Sequence, residues 1–209
     1  MNNKLAWFIM EFVVLLQMLF FLFTGSKRPE SATLIIAGFF VLHYVNRSII
    51  FPLRLRTSNK KMPVAIMLSA VAFNLVNGFQ IGYYLSHFAN YTIEYLWSAK
   101  FISGAIIFFT GFFINQWSDS RLINLRKAND VSYQIPQGGL FNYVSCPNHL
   151  GEFIEWFGFA VLCWNLPALS FFIWTVCNVL PRSLDHHKWY LKKFSDYPTE
   201  RKAVLPGVL

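Results

Sequence analysis

The chain has 209 residues, of which 55% are hydrophobic, 19% aromatic and only 13% charged. Soluble domains carry about 25% charged residues, so this composition excludes an ordinary water-soluble domain and favours a membrane protein. The three cysteines are odd in number and show neither a disulfide framework nor a metal-ligand spacing.

Long apolar blocks follow one another along the chain, each near the length of about 20 residues that a membrane-spanning helix requires. We predict six spans, at roughly 5–24, 33–53, 63–87, 95–117, 149–164 and 167–181. Only three residues, 165–167, separate the last two, which therefore form a tight hairpin or one broken helix. The sequence predicts an all-α, polytopic membrane helical bundle that forms a single domain over residues 1–209.

The net charge of +8 is distributed unevenly between the two faces of this predicted bundle. With six spans, most basic residues fall on one face, in the loops near Arg54 and Arg121 and beyond Arg182, whereas the opposite face has only Lys27 and Arg28. This is the positive-inside pattern, which places both termini in the cytosol. The basic excess is therefore assigned to topology and to an anionic cofactor rather than to nucleic acid.

Charged side chains inside a span cost about 2.5–3.5 kcal/mol at its centre, which makes them functional candidates. Glu11 lies about two turns into the first span, where burial disfavours the charged form, so we expect a protonated carboxylic acid. It is either catalytic or a structural partner of Arg47. Tyr44 shares a helical face with Arg47 and is either an interfacial aromatic residue or a donor that polarises a substrate carbonyl.

The function of two polar segments in the C-terminal half can be interpreted in more than one way. Glu152 and Glu155 follow His149 at helical spacing, but five histidines are too few for a membrane di-iron oxygenase, so we predict no metal. The segment PRSLDHHKWYLKKFSDYP suits a solvated membrane surface or an anion site. The pair Gly138–Gly139 has neither Rossmann nor P-loop spacing. The residues alone indicate a polar cavity that faces the cytosol and an anionic ligand.

Several long motifs resemble the steroid 5α-reductase family. They are SYQIPQGGLFNYVSCPNHLGEFIEWFGFA at 132–160, WNLPALSFF at 164–172 and HHKWYLKKFSDYPTERKAVLP at 186–206. AWFIMEF around Glu11, VLHYVNRSIIFPL around Tyr44 and NGFQIGYYL at 77–85 extend the resemblance over nearly the whole chain. The broader superfamily also includes sterol reductases and isoprenylcysteine methyltransferases.

The resemblance implies an oxidoreductase that uses NADPH to reduce the 4,5 double bond of 3-oxo-Δ4 steroids, such as testosterone or progesterone, to 5α-dihydro steroids. Glu11 and Tyr44 match the catalytic pair that would polarise the 3-keto oxygen. The implied cofactor-binding residues are Arg56, Asn115, Asp119, Arg126, Tyr133, Asn148, Glu152, Arg182, His186 and Tyr190. Residues 1–117 would form the substrate-pocket spans and 118–209 the main cofactor-binding part.

Three features depart from the family pattern. The chain starts just before the helix of Glu11, which gives six spans where the family typically has seven. Gln134 replaces a basic residue and Asp185 replaces a histidine, changes that bear on cofactor affinity rather than on the catalytic pair.

The expected partners are a hydrophobic steroid and the lipid bilayer, with no nucleic acid and no obligatory protein partner. We expect a multi-pass protein of the bacterial inner membrane or the endoplasmic reticulum, with its cofactor site facing the cytosol. The alternatives are a reductase of another hydrophobic enone or sterol, a related membrane methyltransferase that uses S-adenosylmethionine, and a non-catalytic lipid-binding or transport protein.

Overall fold

The computed structural model describes residues 1–26, 28–56, 60–125 and 133–209. The described residues are mainly helical, and the only β-type pairings among them are two isolated bridges, Asn2 with Lys61 and Val144 with Lys202. The helices are α1 (Asn3–Thr24), α2 (Ser31–Val45), α3 (Phe51–Arg54), α4 (Val64–His87), α5 (Ala99–Leu125), α6 (Pro147–Cys163) and α7 (Leu166–Lys193). The predicted all-α fold is confirmed.

Four helical segments are long and apolar enough to cross a membrane: Asn3–Thr24, Ser31–Arg54, Val64–His87 and Ala99–Leu125. They coincide with the first four predicted spans. Large apolar side chains on them face outward, among them Phe20 and Phe23 on α1 and Ile106 and Phe113 on α5, which are 60% to 85% exposed. Such surface is unfavourable in water and suits lipid, so these helices are those of a membrane protein.

The last two predicted spans form a tight hairpin rather than one broken helix. Helix α6 ends at Cys163, Trp164 adopts the left-handed conformation with φ 47°, and α7 begins at Leu166. The side chain of Asn165 caps α7 by accepting a hydrogen bond from the backbone N–H of Ala168 at 2.9 Å. Helix α6 has 17 residues and α7 continues into a charged segment, so their crossing of a membrane remains a prediction.

The second span contains an irregular turn just after Tyr44. Helix α2 continues into a π-helical turn at Asn46–Ile50, where the N–H of Phe51 bonds to the carbonyl oxygen of Asn46, five residues back. Pro52 then has no N–H to offer the carbonyl group of the preceding turn. Single π-helical turns are frequent at functional sites, and this one begins two residues beyond Tyr44.

The chain divides into two compact units, Met1–Ile102 and Ser103–Leu209. In the first unit α1 packs along α4. Ala6 and Met10 of α1 contact Met67 of α4 near one end. Further along, Gly82 of α4 lies against the ring of Phe21, where an added Cβ would stand 2.9 Å from a ring carbon. Small residues permit this close approach, which supplies the van der Waals contact that holds helices together in lipid.

In the second unit α5 packs on α6 through small residues on both helices. Gly111 of α5 lies against the backbone of Gly151 and Glu155, and Gly158 of α6 lies against the backbone of Phe108. No side chain larger than hydrogen fits at these contacts, so the two helices approach backbone to backbone. The C-terminal tail completes this unit by placing the buried side chain of Val204 among α6 and α7.

Candidate functional site

The proposed catalytic pair, Glu11 and Tyr44, lies in the first unit beside two amides of α4. The Nδ2 group of Asn77 donates a hydrogen bond to the hydroxyl oxygen of Tyr44 at 3.0 Å. The Nδ2 group of Asn74 donates to Oε2 of Glu11 at 3.2 Å and to the backbone oxygen of Met10 at 2.7 Å. Because the two amides are three residues apart on one helix, they bring Glu11 and Tyr44 to the same face of α4.

The Tyr44 side chain of this pair is buried beside an aromatic ring. Tyr44 is 3% exposed and its ring contacts that of Phe40, with 4.7 Å between the ring centroids. The guanidinium group of Arg47, the alternative partner considered for Glu11, lies 4.9 Å from the ring centroid of Trp7 and 4.8 Å from that of Phe51. Pairing between Glu11 and Arg47 remains a prediction. Hydrogen-bond donors in such water-poor surroundings act more strongly on a developing charge than they do in water.

The amides Asn74 and Asn77 are functional candidates that the sequence analysis missed. Both are buried, at 4% and 2% exposure, within a helix apolar enough to cross a membrane. The available signal was two uncharged amides three residues apart inside an apolar span, where polar side chains face other protein groups rather than lipid.

A cavity of about 410 Å³ lies in the second unit, within the size range of small-molecule sites. Four predicted cofactor residues line it: Tyr133, Asn148, His186 and Tyr190. The other lining residues are Leu122, Leu125, Gln134, Ser145, Cys146, His149 and Trp189. The structure therefore brings together residues from α5, from the segment that follows it and from both helices of the hairpin.

His149 and Trp189 belong to this cavity although they were not predicted as cofactor ligands. Nδ1 of His149 lies 2.8 Å from Oγ of Ser183, and its ring centroid lies 6.1 Å from that of His186. Trp189 follows His186 by three residues, so the two share a face of α7. That spacing was the sequence signal for Trp189. The arrangement gives the cavity imidazole, indole and amide groups, a set suited to a polar ligand that contains aromatic rings.

Asn115 and Glu152 adjoin the cavity through direct hydrogen bonds. Nδ2 of Asn115 donates to the backbone oxygen of Asn148 at 3.0 Å and lies 3.5 Å from Oε1 of Glu152. Asn115 is 1% exposed, and Gly151 lets its backbone approach α6 closely. Asp119, one turn further along α5, is also buried. These contacts connect α5 to the part of α6 that lines the cavity.

The predicted arginine ligands are placed differently. Arg182 is exposed on α7, one turn before His186, and does not line the cavity. Arg56 is exposed in the first unit, and Arg126 lies outside the described residues. Gly138 and Gly139 adopt positive φ angles of 89° and 55°, which L-residues with side chains disfavour, but neither lines the cavity.

One thiol group that lines the cavity is uncharged because it is buried. The thiol of Cys146, at the start of α6, has its pKa raised to about 12 by burial, so it stays protonated. Among the residues that the structure describes, no group of three or more histidine, cysteine, aspartate or glutamate side chains is arranged to hold a metal ion.

Comparison with known proteins identifies the family to which this chain belongs. The family profile described as 3-oxo-5-alpha-steroid 4-dehydrogenase matches residues 60–209. This chain is a member of the steroid 5α-reductase family. It is 41% identical over 208 residues to steroid 5-alpha-reductase DET2 of Solanum lycopersicum, covering 98% of this chain and 80% of that protein.

Mammalian members of the steroid 5α-reductase family are similar to this chain at the same level. Identity is 37% over 210 residues to 3-oxo-5-alpha-steroid 4-dehydrogenase 1 of Mus musculus, with 98% of this chain and 80% of the relative covered. It is 40% over 212 residues to 3-oxo-5-alpha-steroid 4-dehydrogenase 2 of Sus scrofa, again with 98% and 80% covered. The matches include both units, so the family resemblance seen in the sequence is confirmed.

Proposed function

We propose that this chain reduces the 4,5 double bond of 3-oxo-Δ4 steroids of the testosterone or progesterone type to 5α-dihydro steroids, with NADPH as reductant. The observation that carries the proposal is that Asn74 and Asn77, three residues apart on α4, hydrogen-bond to Glu11 and Tyr44, so that the two proposed donors meet the same face of this helix. Reduction of an enone places negative charge on its carbonyl oxygen, and the reaction is accelerated by donors that meet this charge.

Glu11 and Tyr44 are the catalytic residues of this proposal. A protonated Glu11 and the hydroxyl group of Tyr44 would both donate hydrogen bonds to the 3-keto oxygen. Uncharged donors suit this position, because a fully charged carboxylate would repel the developing oxyanion and would be costly to bury. The ring of Phe40, fully buried against Tyr44, is an apolar neighbour that would suit a hydrophobic steroid.

The residues of the second unit fit a dinucleotide such as NADPH. The 410 Å³ cavity presents aromatic rings at Tyr133, Trp189 and Tyr190 for stacking, and polar groups at Asn148 and His186 for hydrogen bonds. When bound, NADPH would supply the hydride for the β carbon of the enone. Asn115 and Glu152 would position the part of α6 that contributes Asn148.

Three further ligands are proposed on the resemblance. Arg182 lies one turn from His186 and would meet phosphate at the edge of the cavity, whereas Arg56 and Arg126 are proposed as cofactor ligands on the resemblance alone. Arginine at an adenosine ribose favours the additional phosphate of NADPH over NADH. We place the cofactor site on the cytosolic face, in the bacterial inner membrane or the endoplasmic reticulum.

Product analysis tests this function directly. Purified protein is incubated with NADPH and testosterone or progesterone, and the product is examined by mass spectrometry and for its stereochemistry. We expect a gain of two hydrogens with 5α geometry. Absence of reduced product from these steroids, with retained stabilisation by NADPH, would favour a reductase of another enone or sterol.

Ligand-dependent stability separates the remaining alternatives. A ligand that binds only the folded protein raises its unfolding temperature in proportion to occupancy. NADPH should stabilise the protein more than NADH, and S-adenosylmethionine should not stabilise it. Stabilisation by S-adenosylmethionine would instead indicate a methyltransferase, and no response to any of the three would contradict the cofactor assignment.

A further inference from the structure

Each member of the proposed catalytic pair accepts a hydrogen bond from an amide of α4, and these contacts orient its polar group. The NH₂ group of an asparagine can only donate, so the oxygen that it contacts must accept. The hydroxyl oxygen of Tyr44, 3.0 Å from Nδ2 of Asn77, therefore does not use its own proton in that bond.

The same reasoning applies to Glu11. A protonated carboxyl group carries its proton on one oxygen and accepts through the other. Because Nδ2 of Asn74 donates to Oε2, the proton of a protonated Glu11 would lie on Oε1.

The orientation of the Asn74 amide is itself determined by its neighbours. Nδ2 of Asn74 lies 2.7 Å from the backbone oxygen of Met10 and 3.2 Å from Oε2 of Glu11. A backbone carbonyl oxygen can only accept, so an amide turned the other way would place two acceptors in contact. Asn74 is 4% exposed, so water does not compensate for such a contact.

We propose that Asn74 and Asn77 are positioning residues that hydrogen-bond to Glu11 and Tyr44 and orient the carboxyl and hydroxyl groups towards the carbonyl oxygen of the substrate. This inference rests on the function proposed above. A donated hydrogen bond also draws electron density from the oxygen that accepts it, so the remaining proton becomes a better donor. The two amides thus act on the reaction through the catalytic pair and do not need to touch the substrate.

A double-mutant cycle tests the role of Asn77. The full-length protein is assayed in detergent or lipid nanodiscs with NADPH and testosterone, as wild type, Asn77→Leu, Tyr44→Phe and the double variant. Loss of one hydrogen bond corresponds to about a tenfold change, so Asn77→Leu should lower kcat about tenfold and leave the KM for NADPH unchanged. In the Tyr44→Phe background the same change should have an effect of less than about twofold, because no hydroxyl remains to be positioned.

Asn74 is tested by the same cycle with Asn74→Leu and Glu11→Leu, because a glutamine at position 11 would still accept the hydrogen bond from Asn74. The same loss of effect in the double variant is expected. Gln80→Leu is the matched control, since it removes an exposed amide from the same helix, three residues beyond Asn77, and should retain the wild-type kcat. If either leucine variant fails to fold, the alanine variant at that position replaces it in the cycle.

The outcomes separate this inference from the proposed function. A wild-type protein that forms 5α product, with asparagine variants as active as wild type, would overturn the inference alone. Equal losses in both backgrounds would also overturn it, because they indicate a packing role that does not act through Glu11 or Tyr44. A wild-type protein that reduces no enone would remove the proposed function and this inference with it.

Discussion

The hydroxyl oxygen of Ser145 lies 2.6 Å from Nδ1 of His187, and the same hydroxyl lies 2.6 Å from the hydroxyl oxygen of Tyr197. The three side chains connect the segment before α6, the end of α7 and the segment beyond it. Ser145 also lines the cavity proposed for the cofactor. Ser145 therefore connects a wall of the cavity to His187 through a hydrogen bond.

Protonation of His187 should destabilise the protein. Burial of the imidazole, together with repulsion by the ammonium group of Lys202, lowers the pKa of His187 from its ordinary value of 6.5. As the pH falls below 6.5, the unfolded chain binds a proton at His187 that the folded chain resists, so the free energy of unfolding falls. The loss begins near pH 6.5 and is complete below the lowered folded pKa.

The measurement is the thermal midpoint of wild type and His187→Asn from about pH 7.5 to about pH 5.5. The variant should show a shallower decrease in its midpoint across this range. Identical pH dependence in the two proteins would contradict the assignment of this titration to His187.

Substitution of Glu11 by glutamine should remove most activity without unfolding the protein. An amide is a much weaker acid than a carboxyl group, and loss of a positioned proton donor typically costs about 10²–10⁴ in rate. We therefore expect kcat for Glu11→Gln to fall at least about 100-fold while NADPH affinity and thermal midpoint stay at wild-type values. Glu30→Gln, an exposed carboxyl group in the same unit, serves as the control. Normal turnover by Glu11→Gln would contradict the proposed catalytic role of Glu11.

Replacement of Arg182 by alanine should weaken NADPH binding rather than slow the chemical step. Arg182 is exposed one turn from His186, which lines the cavity, and a guanidinium group pairs with phosphate through two parallel hydrogen bonds. The KM for NADPH should rise about tenfold with kcat nearly unchanged. Lys192→Ala removes a positive charge from the same helix and should leave this KM unchanged. An unaltered KM in Arg182→Ala would exclude the phosphate contact.

A methyl group at Gly111 should destabilise the second unit. An added Cβ would overlap the backbone of Glu155 and Gly151 on α6, and overpacking of this kind costs about 1–3 kcal/mol. Gly38→Ala is the matched control, because a Cβ at this helical glycine would meet no atom within 4 Å. It should stabilise its helix by up to about 1 kcal/mol. Equal unfolding temperatures for the two variants would contradict the proposed close packing.

The helices were largely predictable because apolar blocks of membrane length leave few other structures open. The length and hydrophobicity of these blocks identified the first four spans, and the short connection between the last two limited them to a hairpin or a broken helix. The left-handed conformation of Trp164 and the helix cap by Asn165 produce the hairpin. Both features depend on local backbone geometry, which the sequence pattern does not reveal.

The candidate sites were predictable only where a residue type is unusual in its setting. A carboxyl group such as Glu11 in an apolar span is conspicuous, and the family resemblance added Tyr44. Asn74 and Asn77 carry no charge, and their importance depends on which face of α4 meets α1 and α2. Likewise, His149 joins the cavity only because α7 folds back along α6. Such long-range packing is not present in the local pattern of one sequence.

The C-terminal tail pairs directly with the segment that lines the cavity. The backbone N–H groups of Ser145 and Cys146 donate to the carbonyl oxygens of Lys202 and Ala203 at 2.8 and 3.0 Å, and Val204 is fully buried beyond them. A ligand that stabilises this wall is therefore expected to shield the tail from proteolysis. The rate at which a protease cleaves the tail would then report occupancy of the cavity and would offer a way to screen ligands before any substrate is known.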